Sequence, residues 1–193
     1  MASTLILTHG AGSNRDAPLL AALDAALTGC GLRVIRANHA FREARAAGPP
    51  RAGDPERDRL RLRELVESAR AAGAINVYLG GHSYGARQAT ILASEQPGIA
   101  DAILALSYPL HPPRRPAELR TAHLPALRTP VLFVHGSRDP FGSVEELRNA
   151  LSLIPARTRL AEIAGAGHEL ASKRGLDGVV AAIVSEWFRF LAE

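Results

Sequence analysis

The stretch VYLGGHSYGARQA, Val77 to Ala89, limits the possible fold more than any other part of the sequence. Gly81-His82-Ser83-Tyr84-Gly85 fits the pattern G-x-S-x-G, in which a serine sits on a sharp turn from a strand into a helix, with strained backbone angles. Glycines two residues either side are required because side chains there would collide with the packed strand and helix. The bare pattern is weak, since it arises by chance in many chains. Its flanks strengthen it. Ala74–Gly80 (AINVYLG) is a short apolar, β-branched and aromatic run that reads as a buried strand. Tyr84–Gln96 puts Ala86, Ala89, Ile91, Leu92 and Ala93 at helical spacing, and Pro97-Gly98 stops it. The competing reading is an ordinary strand-to-helix connection in which Ser83 is only a cap.

A chain of 193 residues is expected to form one domain, 1–193, with a sizeable core. Nearly half the residues are apolar and the charge content is ordinary, which argues against disorder or a fibre. The lone Cys30 excludes an intramolecular disulfide and any multi-cysteine zinc site, and suits a reducing compartment. Between a helix-like stretch and a strand, it reads as a small buried hydrophobe. MASTLILTHG has neither a basic leader nor an apolar run long enough for a signal peptide. No segment approaches the roughly 18 apolar residues of a membrane span, so the cytoplasm is the expected address and no membrane partner is expected.

The formal charge of +4 raises the question of nucleic acid. Almost all the basic residues are arginines, Lys173 being the only lysine, and they interleave with acids, as in Asp54–Arg70 (DPERDRLRLRELVESAR). Such alternation reads as a solvated helix face with i,i+4 pairs. No DNA- or RNA-reading motif accompanies it, so no nucleic-acid partner is expected.

Along the chain, strands and helices alternate. Ser3–Thr8, Leu32–Asn38, Ala74–Gly80, Asp101–Pro109, Val131–Ser137 and Thr158–Gly165 read as strands. Helices are expected over Ala17–Cys30, Asp54–Arg70, Tyr84–Gln96, Ser143–Ile154 and Gly178–Glu193. Ala40–Asp54 reads as a loop and Leu110–Pro130 as mostly irregular; both are expected to border the pocket. This alternation predicts an α/β fold, a mostly parallel six-stranded sheet with helices on both faces.

Ligands collect at the carboxyl ends of the strands in such a sheet. Five strand ends carry polar or glycine-rich loops: His9-Gly10-Ala11-Gly12, Ser83, Tyr108, Asp139 in HGSRDPFG and His168 in GAGHEL. Serine needs a base to take its proton and a third group to orient the base. On a strand-turn-helix serine of this kind the chain order is Ser, then acid, then His. Only His168 of the seven histidines follows a strand-end carboxylate, and Asp139 alone among the intervening acids lies just past a strand's carboxyl end. Ser83, Asp139 and His168 are therefore the candidate triad. Taken singly, Asp139 before Pro140 is also a good turn residue, and His168 a good loop or capping residue.

An oxyanion needs two backbone N–H donors, and Tyr84 and Ala11 are the candidates. The rival reading of THGAGSN, a phosphate loop, lacks both the G-K-[ST] ending and the G-x-G-x-x-G spacing. His9, Gly10, Tyr108 and Phe141 are candidate pocket residues, with Phe41 and Tyr84 as further apolar wall. Arg87, one turn into the elbow helix, reads as a helix-surface ion pair, with a substrate carboxylate as the alternative. His82 is expected to point away from Ser83 across the turn, and His135 to act through packing. No cofactor motif and no metal cluster is present in the sequence.

The set HGAG, GGHSYGAR, YPLHPP, HGSRDPFG and GAGHEL resembles the small α/β-hydrolases of the dienelactone-hydrolase-like group. Within it, the chain is most similar to the branch that includes the testis-expressed hydrolase-like protein and the NSL-complex regulatory subunit. The resemblance covers almost the whole chain. It implies a compact sheet lacking the first two strands of the full fold, and no separate cap domain. It assigns Ser83, Asp139 and His168 the nucleophile, acid and base roles of an esterase-type serine hydrolase acting on a small acyl substrate. His82 departs from the branch, which often has arginine before the serine. Dienelactone hydrolases proper use a cysteine nucleophile, and Cys30 is far from the elbow. Because some relatives resemble interaction scaffolds, the alternative is a weak or inactive member serving as a module in a larger assembly.

Overall fold

A computed structural model describes residues 2–170 and 175–193; Lys173 lies outside the described residues. The sheet is built from β1 (Thr4–Thr8), β2 (Arg33–Ala37), β3 (Val77–His82), β4 (Ala102–Leu106), β5 (Val131–Gly136) and β6 (Thr158–Ile163). Every neighbouring pair is parallel, in the order β2-β1-β3-β4-β5-β6. The helices are α1 (Pro18–Gly29), α2 (Ala40–Ala44), α3 (Asp54–Ala71), α4 (Tyr84–Glu95), α5 (Val144–Leu151) and α6 (Gly175–Leu191).

Alternation along the strands sorts the apolar residues into two layers. Ile6, Val77, Leu79, Ile103, Ala105, Val131 and Phe133 pack with α3, α4 and α5. Leu5, Leu7, Tyr78, Leu104, Leu106, Leu132 and Val134 pack with α1 and α6. Both faces are covered, so the central strands read as unbroken apolar runs. Burying one such side chain contributes about 1.5–3 kcal/mol relative to exposure. This is the single-domain α/β fold expected from the alternation of elements.

Several boundaries differ from the sequence reading. β3 starts later and runs further than Ala74–Gly80, because Gly73 turns the chain out of α3 at φ 83°, while Gly81 and His82 still have ladder partners in Thr8 and Leu106. Ala40–Asp54 is not all loop: α2 occupies its first five residues, with Phe41 and Arg42 buried. α3 is not simply a solvated face, since Asp54 and Asp58 are fully buried. Its internal pairs are i,i+3, Arg57 with Asp54 and Arg61 with Glu64, and Arg59 reaches across to Glu95 of α4. Cys30 is exposed, not buried, because it follows the last inward position of α1, Leu27, where the chain turns outward toward β2. α5 opens as expected at Ser143, whose hydroxyl accepts the Glu146 N–H in a reciprocal capping box. No helix among the described residues is long and apolar enough to cross a membrane.

The register decides what meets at the rim. Thr8 pairs with Gly81, His82 with Leu106 and Gly136 with Ile163. The loops that follow these strands therefore leave the sheet on one edge and close together.

Candidate active site

Ser83 lies between β3 and α4 at φ 53°, ψ −109°, a conformation that costs a non-glycine residue roughly 1–3 kcal/mol. The surroundings enforce it. The Ser83 N–H donates to the Leu106 carbonyl at 2.8 Å, and its own carbonyl accepts the Arg87 N–H at 3.1 Å. A Cβ on Gly81 would lie 2.5 Å from the Gly85 carbonyl carbon, and one on Gly85 would lie 2.5 Å from Thr8 Oγ1. Those contacts are sub-van der Waals, so the two glycines are the condition for packing helix, turn and β1 this closely.

Three side chains from three strand ends form a line. His168 Nε2 is 2.7 Å from Ser83 Oγ, and His168 Nδ1 is 2.8 Å from Asp139 Oδ2. An ionised carboxylate only accepts, so the Nδ1–H donates to Asp139 and leaves Nε2 free to accept the serine hydroxyl proton. The Asp139 side chain is fully buried, and its other oxygen accepts the Phe141 N–H at 2.8 Å. Phe141 in turn lies against the His168 ring, centroids 4.1 Å apart.

Two histidines set aside in the sequence reading are part of the support. His82 does not point away from the site: its Nε2–H donates to the His168 carbonyl at 2.8 Å, and its ring lies 5.2 Å from the His168 ring. Burial lowers the His82 pKa and favours the neutral ring, an effect partly opposed by that hydrogen bond. His135 is fully buried; its Nε2–H donates to the Gly142 carbonyl at 2.8 Å, and its Nδ1 lies 3.8 Å from Asp139 Oδ2. It braces the turn that carries Asp139.

Beside this line is a dense buried corner. Arg42 donates to five carbonyls, those of Ala11 (3.0 Å), Ser13 (2.8 Å), Arg45 (3.4 Å), Ala46 (2.8 Å) and Gly48 (3.1 Å). It thus clamps the loop after β1 through Ala11 and Ser13. Tyr84 donates its hydroxyl to Asp58 at 2.6 Å, and Asp58 also accepts the Phe41 N–H. Burial raises the Asp58 pKa against those two hydrogen bonds, and burial together with Asp58 pushes the Tyr84 phenol up. His9 accepts the His39 N–H at Nε2, so its Nδ1–H donates to the Gly10 carbonyl. Burial, then the neighbouring His9, holds His39 down to about 3. Ala11 and Tyr84 thus have their backbones fixed from behind. Neither N–H is taken up by an acceptor among the described residues, and Tyr84, first in α4, has no intrahelical one.

A cavity of about 570 Å³ opens over Ser83, lined by Gly10, Ala11, Tyr84, Phe141 and His168 and also by Arg87, Pro109 and Arg120. A second, of about 370 Å³, shares Gly10, Ser13, His82 and Glu169 with it and is walled by Leu19, Leu20, Leu170 and Leu176. Four expectations from the sequence are corrected here. Tyr108 is buried and lines neither cavity; Ser107 adopts φ 47° and turns Tyr108 inward onto Phe133, with its hydroxyl on the Arg120 carbonyl. Phe41 is likewise buried and packs behind Tyr84 instead of forming wall. His9 is buried beneath the rim and borders only the second cavity. Of the two loops expected to border the pocket, the Pro-rich segment supplies Arg120, while no residue of Ala40–Asp54 lines either cavity. Among the described residues, no group of three or more His, Cys, Asp or Glu is arranged to hold a metal ion.

A sheet of this order, with a strained serine after its third strand and an acid and a histidine after the last two, defines an α/β-hydrolase-type architecture. Residues 1–190 match the family described as alpha/beta hydrolase domain, and the chain belongs to that family. It is similar in structure to Est1E from Butyrivibrio proteoclasticus, with a TM-score of 0.78 at 17% identity, covering 100% of this chain and 89% of that one. It is also similar to the dienelactone hydrolase from Anabaena variabilis, with a TM-score of 0.74 at 23% identity over 97% of this chain and 86% of the other. In sequence it is 44% identical over 71 residues to the polyketide synthase ThaQ of Burkholderia thailandensis, a match spanning 36% of this chain and 3% of that protein.

Proposed function

We propose that the chain is a serine hydrolase of esterase type that cleaves a small acyl ester through an acyl-enzyme intermediate. The observation that carries this is the Ser83–His168–Asp139 line, at 2.7 Å and 2.8 Å, on a serine held in a strained turn. Ser83 Oγ attacks the ester carbonyl while His168 Nε2 takes its proton. Asp139 keeps the proton on Nδ1 and stabilises the imidazolium that forms. The N–H groups of Ala11 and Tyr84 receive the developing oxyanion. Collapse expels the alcohol, protonated by His168, and water then attacks the acyl-serine with His168 again as base. Water and ester give acid and alcohol, and Ser83 returns unchanged. The motif set from HGAG to GAGHEL supports membership of the testis-expressed and NSL-complex-subunit branch as part of this reading, with the departure at His82.

Labelling with a fluorophosphonate tests the reading. One adduct on the native protein, absent in Ser83→Ala, is expected by intact mass. No adduct, which is what an inactive interaction module would give, or one that persists in Ser83→Ala overturns it.

A further inference from the structure

Arg87 and Arg120 both line the cavity over Ser83, and neither has a carboxylate within ion-pair distance among the described residues. Several other half-buried arginines are matched to acids, Arg36 to Asp24, Arg45 to Asp54, Arg59 to Glu95 and Arg159 to Glu186, and Arg63, which has no acid, donates to the Gln96 side chain. Arg87 makes no side-chain hydrogen bond among the described residues, and its Nε is buried with no partner. Arg120 donates once, to the Pro109 carbonyl at 3.2 Å, which leaves most of its fork unused.

The neighbours give little compensation: at Arg120 the favourable effects of Tyr108 and Glu118 rank behind burial and Arg87. His123, hydrogen-bonded to Thr90, is held to about 4 by burial and by Arg87 itself, so it is neutral. Burial first, and Arg87 second, lower the Arg120 pKa. Glu118, the acid nearest to Arg120 in the chain, faces Arg115 at 3.4 Å. Glu169 borders the same cavity but is exposed and pairs with neither arginine. Two like charges, partly desolvated and unmatched in one wall, are unfavourable unless an anion joins them. Their forks suit an oxyanion bidentately. The placement is tied to the chemistry, because the Arg87 N–H bonds the Ser83 carbonyl one turn back along α4.

We propose that Arg87 and Arg120 form an anion subsite and that the substrate is an acyl ester bearing a carboxylate or phosphate group, bound there with its scissile carbonyl at Ser83. This rests on the serine-hydrolase reading for the reaction, though not for the binding.

Binding is therefore measured without turnover, by calorimetric titration of succinate and of inorganic phosphate into Ser83→Ala. At least one anion is expected to bind, and about tenfold or more weaker when Arg87→Met or Arg120→Met is added, with Arg87→Lys keeping part of the affinity. Succinate alone binding identifies a carboxylate, phosphate alone a phosphate. Neither binding, or equal binding in the Met variants, overturns the subsite. Turnover is then compared for 4-nitrophenyl hemisuccinate and 4-nitrophenyl butyrate. If succinate binds, the native protein is expected to favour the charged ester, and the ratio of kcat/KM values to fall about tenfold in Arg120→Met. A higher ratio for the neutral ester despite succinate binding overturns the subsite's place in the substrate site. Anion binding with no turnover of either ester and no fluorophosphonate adduct instead sinks the serine-hydrolase reading and leaves the anion site standing.

Discussion

Two polar regions lie side by side at the carboxyl ends of the strands. In the proposed catalytic line, Ser83, His168 and Asp139 are joined by one side-chain hydrogen bond at each step, and each comes from a different loop. In the corner behind it, Arg42, Asp58, Tyr84, His9 and His39 are bonded mostly to main-chain atoms, several at once. The line keeps a free lone pair and a movable proton. The corner leaves little free to move. What differs is where capacity is used: in the corner most of it is spent on fixing the backbone, with His39 Nδ1 left over, and in the line it is kept where a reaction partner must enter.

The largest effect expected to separate the two regions comes from His168→Ala, which should lose about three or more orders of magnitude in acyl-ester turnover, the scale of removing a triad member. His135→Ala and His82→Ala, which brace the loops but take no proton, should lose much less. Rates for the three folded variants decide it. Near-parental turnover in His168→Ala with either of the others dead would invert the assignment.

The corner is tested next by Arg42→Met. Freeing the Ala11 and Ser13 carbonyls should lower kcat by about 10- to 100-fold, less than the loss of an oxyanion donor itself, with a smaller change in KM. Arg42→Lys cannot span the same carbonyls and should not rescue. An unchanged kcat in a variant that only melts earlier would reduce Arg42 to scaffolding.

The smallest effect is on stability. His39 is held at about 3 when folded and titrates near 6.5 when unfolded. The unfolded chain binds the proton more tightly, so its contribution is complete above about pH 6.5 and is lost as pH falls toward 3. By pH 5 the loss is on the order of 2 kcal/mol. Urea midpoints should drop between pH 7 and pH 5, and drop less in His39→Gln. Equal drops in both would remove His39 from the account.

The line could be read from the sequence because strand ends are marked by glycine and because the chain order leaves one acid and one histidine. The corner could not. α2 is five residues long, too short to show a period, and the partners of Arg42 are carbonyls, which no side-chain pattern encodes. Tyr108 was misplaced for a related reason: its direction depends on the positive φ of Ser107, where the residue type gives no warning. Arg87 at one helical turn from Ser83 is visible in the sequence, but its lack of an acid partner among the described residues depends on how α4 meets the Pro-rich segment.

The sheet also ends at two open strands, β2 and β6. Such edges offer unpaired backbone groups to any passing chain and are routes to aggregation. β2 carries Arg33 and Arg36, and β6 carries Arg159 with Arg157 just ahead of it. Arg36 is tethered to Asp16 and Asp24, and Arg159 to Glu186 and Glu193. Part of the arginine content therefore acts as a guard against strand addition: a second molecule pairing along either margin would have to displace these ion pairs and bring its own matching guanidinium groups alongside.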